Sequence, residues 1–86
     1  MKSYAIIGLG RFGSHIAEKL YEMGGEVLAI DINDLLIDSI SSKVTKAVVA
    51  DAKNKDVLRS LGIQNCDCAI VAMASDLASS VLVTMN

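Results

Sequence analysis

Tyr4-Ala5-Ile6-Ile7-Gly8-Leu9-Gly10-Arg11-Phe12-Gly13 is the stretch that decides the fold. A short apolar run ends in the pattern G-x-G-x-x-G, and an amphipathic stretch follows at once. The pattern alone is weak, but its surroundings fit a dinucleotide-binding turn on four counts. It follows a strand-like run, opens a helix, and has small Ala17 four residues beyond its last glycine. The next apolar run ends in Asp31, 21 positions past Gly10, close to the spacing of ~20 that the fingerprint requires. Each glycine answers a separate demand. Gly8 permits the tight turn, Gly10 lets backbone approach a pyrophosphate, and Gly13 with Ala17 lets the helix lie close to the sheet. The helix N-terminus then offers free N–H groups and a partial positive charge to phosphates.

Outward from this turn, apolar runs alternate with amphipathic ones. From Arg11 to Met23 the residues Phe12, Ile16, Leu20 and Met23 recur at helical spacing and predict a core stripe, with Gly24-Gly25 closing the helix. Val27 to Ile30 reads as a second strand, and Asn33 or Asp34 as the cap of a second helix carrying Leu36, Ile40 and Val44. Ala47 to Ala50 predicts a third strand ending at Asp51. Lys55 to Leu61 predicts a third helix, stopped by Gly62, with Ile63 placed for the contact of a Schellman cap. Ala69 to Ala72 predicts a fourth strand, and Ser75 or Asp76 the cap of a fourth helix running to Asn86. The result is α/β: a Rossmann-type doubly wound parallel sheet, βαβαβαβα, with strand order 3-2-1-4. Its ligand crevice falls at the switch point between strands one and four, outside the carboxyl ends.

Composition excludes several other classes. Eighty-six residues allow one domain, and ten acidic against eight basic side chains give a net charge of −2, contrary to the surplus of a nucleic-acid binder. The longest apolar run is the seven residues Cys68 to Ala74, far short of the ~18 of a membrane span. No secretory leader pattern opens the sequence. Cys66 and Cys68, the two cysteines, imply a reduced, cytoplasmic setting and are too few for a metal site, and Asp67 between them disfavours a thiolate. Val81 to Asn86 stops within an apolar periodic segment, so residues 1–86 read as the N-terminal part of a longer nucleotide-binding domain, its last strands and any regulatory domain lying beyond.

Asp31 is placed to accept hydrogen bonds from ribose hydroxyls. Its charge repels a 2′-phosphate, and Ile32-Asn33 supplies no arginine to offset that, so NAD(H) is favoured over NADP(H). Arg11 puts a cation at the positive end of a helix, which a neighbouring phosphate explains better than a solvated surface position does. Asp51-Ala52 ends the third strand on the adenine side, and Met73-Ala74-Ser75 ends the fourth; both are small enough to admit a ligand and are equally compatible with plain loops. His15 falls on the polar helix face, and Lys53 to Arg59 reads as a solvated one. No catalytic group emerges.

Ile6 to Gly13, with its Arg11-Phe12 pair inside the glycine loop, resembles the opening of the RCK (KTN, TrkA-N) domains of bacterial potassium channels and transporters. The likeness continues through Gly25 to Asn33, Ala50-Asp51-Ala52, Leu58 to Ile63 and Ala69 to Ala72. Within that family it is similar to the cytosolic regulatory subunits of Ktr/Trk-type potassium uptake systems. The resemblance implies a nucleotide-sensing regulator and not an enzyme. It would bind NAD(H) or ATP/ADP and assemble as dimers and octameric rings. It would act on an integral-membrane potassium transporter subunit at the inner face of the membrane. By position, Gly8, Gly10, Arg11, Phe12 and Gly13 would hold the phosphates, and Asp31, Ile32 and Asn33 the ribose. Asp51 and Ala52 would face the adenine, and Met73, Ala74 and Ser75 the far side of the ligand. Lys53 stands where the family commonly has threonine, and Ala74 where it often has glycine. The rival readings are the first mononucleotide half of an NAD-dependent dehydrogenase and a Rossmann module kept only for protein contact. For assembly, the apolar fourth helix and an uncovered edge on strand four predict at least a dimer joined through that side.

Overall fold

The computed structural model describes residues 2–72 and the strand Val81–Thr84. Its elements are β1 (Ser3–Ile7), α1 (Arg11–Glu22), β2 (Glu26–Asp31), α2 (Asp34–Ile40), β3 (Lys46–Val49), α3 (Lys55–Ser60), β4 (Cys68–Val71) and β5 (Val81–Thr84). Single 3-10 turns at Ser41–Lys43 and Ile63–Asn65 lead into β3 and β4. The sheet order is β3-β2-β1-β4-β5, so the expected parallel 3-2-1-4 arrangement is present.

Alternation along the strands divides the core into two layers. Ile6, Val27 and Ala29 face Ala17 of α1 and Ile37 and Ile40 of α2. Ala5, Ile7, Ile30 and Ala69 face Ile63, with Leu58 of α3 packed against them. Helices therefore cover both faces, and β1 at the centre is apolar throughout its buried length because it has no solvent side. Gly62 adopts φ +84° just after α3, and Ile63 turns inward to join this second layer, as the predicted cap requires. Cys66 lies in the same layer. Burial, reinforced by the Glu26 and Asp67 carboxylates, pushes its thiol above the usual range, against a smaller opposing hydrogen bond from Ser3.

Three expectations are corrected. The buried stripe of α1 is Gly13 and Ala17, flanked by half-buried Ile16 and Leu20; Phe12 is 37% exposed and Met23 77%. Helix α1 lies so close to the sheet that only its smallest residues fit between the two, and this rotates the larger apolar groups off the contact. Second, Val81 to Thr84 is a strand and not the end of a fourth helix. It pairs antiparallel with β4, matching Val71 to Val81 and Cys68 to Thr84. Three of its four residues are β-branched, which favours the extended form over a helix. Third, this pairing covers the β4 edge that was expected to be open. The predicted start of the fourth helix, Ser75 to Leu77, lies outside the described residues.

The side chain of Asn54 caps α3, accepting from the Asp56 N–H at 3.0 Å and the Val57 N–H at 3.3 Å. A helix of six residues depends heavily on such a cap. Asn54→Ala should lower folding stability by about 1 kcal/mol, read as a lower urea midpoint at unchanged slope.

Candidate functional site

The site is built where β1, β2 and β3 end together. Gly8 turns the chain at φ +101°, a conformation that a side chain would strain, and its N–H donates to the Ile30 carbonyl at 2.8 Å. Leu9 is buried at 1% exposure and anchors the loop from below. The Leu9 N–H donates to Asp31 Oδ2 at 2.7 Å, and the Asn33 N–H to Asp31 Oδ1 at 2.8 Å. One carboxylate thus ties the glycine loop to the turn after β2. Each of its oxygens accepts one such bond and has lone-pair capacity left for another donor.

The two later glycines of the motif differ physically. A Cβ on Gly13 would overlap the Gly8 carbonyl oxygen, and it would lie 3.3 Å from the Ala72 Cβ, so the fold itself requires glycine there. Among the described residues a Cβ on Gly10 would meet nothing within 4 Å, and Gly10 holds φ −64° and ψ −170°, extended backbone open to any residue. Packing among the described residues therefore gives no reason for glycine at position 10. Gly10 is the N-cap of α1 but offers no side chain to its N–H groups, and the first turn holds no acid. The helix end is left ready for an anion. Arg11 is exposed beside it.

A cavity of about 310 Å³ adjoins this helix end, lined by Gly8, Ile30, Asp31, Ile32, Ala50, Asp51, Ala52 and Lys53. It brings together Gly8, Asp31, Ile32, Asp51 and Ala52 of the expected residues. Gly10, Arg11, Phe12 and Gly13 stand at the start of α1, outside the cavity lining. Asn33 is present but committed, since its side chain accepts from the Leu35 N–H at 2.9 Å and caps α2. Met73, Ala74 and Ser75 lie outside the described residues. Lys53, expected on a solvated helix face, is exposed but lies ahead of α3 and lines the cavity. It belongs to the loop before α3, where its N–H donates to Asp51 Oδ1 at 2.9 Å. An aspartate two residues ahead of it, a common turn arrangement, was the available signal.

Residues 4–86 match the TrkA-N domain model. The chain belongs to the TrkA-N family. This TrkA-N chain is 45% identical over 84 residues to Ktr system potassium uptake protein A of Bacillus subtilis and 39% identical to Ktr system potassium uptake protein C of the same organism. Each match takes in 98% of this chain but 38% of the relative, so the chain spans well under half the length of these proteins. Probable potassium channel protein 2 of Methanocaldococcus jannaschii is 35% identical over 86 residues, 25% of its own length. Among the described residues of the TrkA-N chain no helix is long and apolar enough to cross a membrane.

The glycine contrast makes a direct stability prediction. Gly13→Ala should lose roughly 1–3 kcal/mol of stability through overpacking against Gly8, whereas Gly10→Ala should lose about 1 kcal/mol or less, as a poorer cap. Thermal melts of the two variants against the parent check the difference.

Proposed function

We propose that this chain is the nucleotide-sensing part of a regulator of potassium uptake, binding NAD(H) or ATP/ADP and passing its ligand state to a membrane pore. The observation that carries this reading is Gly10, a glycine that the described residues give no packing reason for, at the start of α1 two residues beyond Gly8, which lines the pocket with Asp31. In this reading the pyrophosphate lies against the Gly10 backbone and the free N–H groups of α1, with Arg11 as its counter-charge. The free lone pairs of Asp31 take the ribose hydroxyls. Ile32 and Ala52 wall the base, and Asp51, whose Oδ1 already accepts from Lys53, turns Oδ2 to the adenine amino group. Such a site binds and orients. Met73 to Ser75 would close the far side.

Potassium enters this reading through relatives named as potassium uptake and potassium channel proteins. The partner would be an integral-membrane potassium transporter subunit, which would hold this domain at the inner face of the membrane. The domain would function as a homo-oligomer, a dimer or an octameric ring. With β5 on the β4 edge, its contacts are not assigned to that edge. The described chain would then be the N-terminal share of a nucleotide-binding domain completed by further strands.

Calorimetric titration tests the ligand class. NADH should bind at least about tenfold tighter than NADPH, a gap of ~1.4 kcal/mol, because Asp31 repels the 2′-phosphate. Arg11→Ala should weaken NADH by roughly 1.5–3 kcal/mol, the scale of a hydrogen bond to a charged group, while leaving the melting temperature nearly unchanged. Equal affinity for the two dinucleotides would overturn the ribose assignment.

A further inference from the structure

Lys53 is the pocket residue that the nucleotide reading leaves without a task. It lines the cavity together with Asp31 and Asp51, one cation beside two carboxylates. Both pocket carboxylates are engaged by backbone: Asp31 by the Leu9 and Asn33 N–H groups, Asp51 by the N–H of Lys53 itself. Among the described residues the single ion pair is Lys43 with Glu18, at 3.8 Å, so neither of those carboxylates pairs with the Lys53 ammonium. The lysine is exposed and belongs to the cavity lining.

We propose that Lys53 is a specificity-determining residue of the adenosine pocket, setting how strongly it rejects an adenosine ligand with an extra phosphate on the ribose. The proposal rests on the nucleotide reading of the same pocket. Asp31, Asp51 and Lys53 line one cavity, and charges that share a site lie within the screening length of ~8–10 Å at ordinary salt. Every lining charge therefore acts on an anion inside it, whether or not the two touch. With Lys53 the three side chains sum to one negative charge; without it they sum to two. Asp31 sets the preference against a 2′-phosphate, and Lys53 narrows it. The lysine has little to gain from a ribose that carries only hydroxyls, so its effect should appear in the ratio of two affinities more than in either alone.

The test is titration of NADH and of NADPH into the full chain and into its Lys53→Met and Lys53→Glu variants, at ~0.1 M and ~1 M potassium chloride. Lys53→Met should weaken NADPH about fivefold more than it weakens NADH, a change expected of one unit charge near the pocket. Lys53→Glu should widen the ratio further, and high salt should shrink both differences. A ratio unmoved by either variant overturns the proposal while leaving the nucleotide site standing. A shifted ratio that salt does not touch overturns it too, since the lysine would then act by shape. If the parent chain binds no nucleotide at all, the site reading fails and this inference fails with it.

Discussion

Helix α1 begins so near the end of β1 that one methyl group at position 13 would occupy the space of the Gly8 carbonyl oxygen. Much of the molecule follows from that approach. Ala17, one turn further on, is fully buried because nothing larger fits between helix and sheet. Phe12 and Met23, which a helical wheel assigns to the core, are pushed toward solvent. The same closeness places the start of α1, with its uncapped N–H groups, directly after the β1 end. The proposed anion site would be a consequence of how tightly the helix packs.

Asp31 converts that geometry into a pocket. Its carboxylate draws in the Leu9 N–H from the glycine loop and the Asn33 N–H from the turn after β2, at 2.7 and 2.8 Å. Bonds of this kind to a charged acceptor are each worth about 1.5–3 kcal/mol, enough to hold two loops in register without a ligand. The wall opposite comes from β3, where the Ala50 N–H donates to the Asp31 carbonyl at 3.0 Å and carries Asp51 and Ala52 to the same rim. A single residue thus serves both as a loop clamp and as the proposed ribose acceptor, and the two roles use different lone pairs.

The fold was legible where local pattern and global packing agree. Alternating short apolar runs and amphipathic stretches marked β1 to β4 and α1 to α3, with boundaries shifted by about one residue except at α2, which ends at Ile40 and gives way to a 3-10 turn before the expected Val44. Glycines 8, 10 and 13 with Asp31 marked the site. Other features lay beyond the sequence because they depend on distance between elements. Spacing cannot reveal that α1 packs on glycine and alanine and not on its larger apolar residues. Val81 to Thr84 carries both a helical spacing, through Leu77, Val81 and Met85, and a run of β-branched residues; the partner strand β4 decides between them. Lys53 is exposed, as expected, but its place in the loop before α3 beside Asp51 emerges only when that loop is set against β2. Asn33, which the sequence offered as a cap of the second helix, does cap α2, accepting from the Leu35 N–H at 2.9 Å.

The division of labour inside the glycine motif is the centre of this account: position 13 serves the fold and position 10 serves the ligand. Calorimetric titration of NADH into Gly10→Ala tests it most directly, since that variant should keep the parent's fold. The account predicts a loss of more than about tenfold in affinity, or ~1.4 kcal/mol, because the added methyl group occupies the path of the pyrophosphate. Parent-like affinity in a folded Gly10→Ala protein would contradict it.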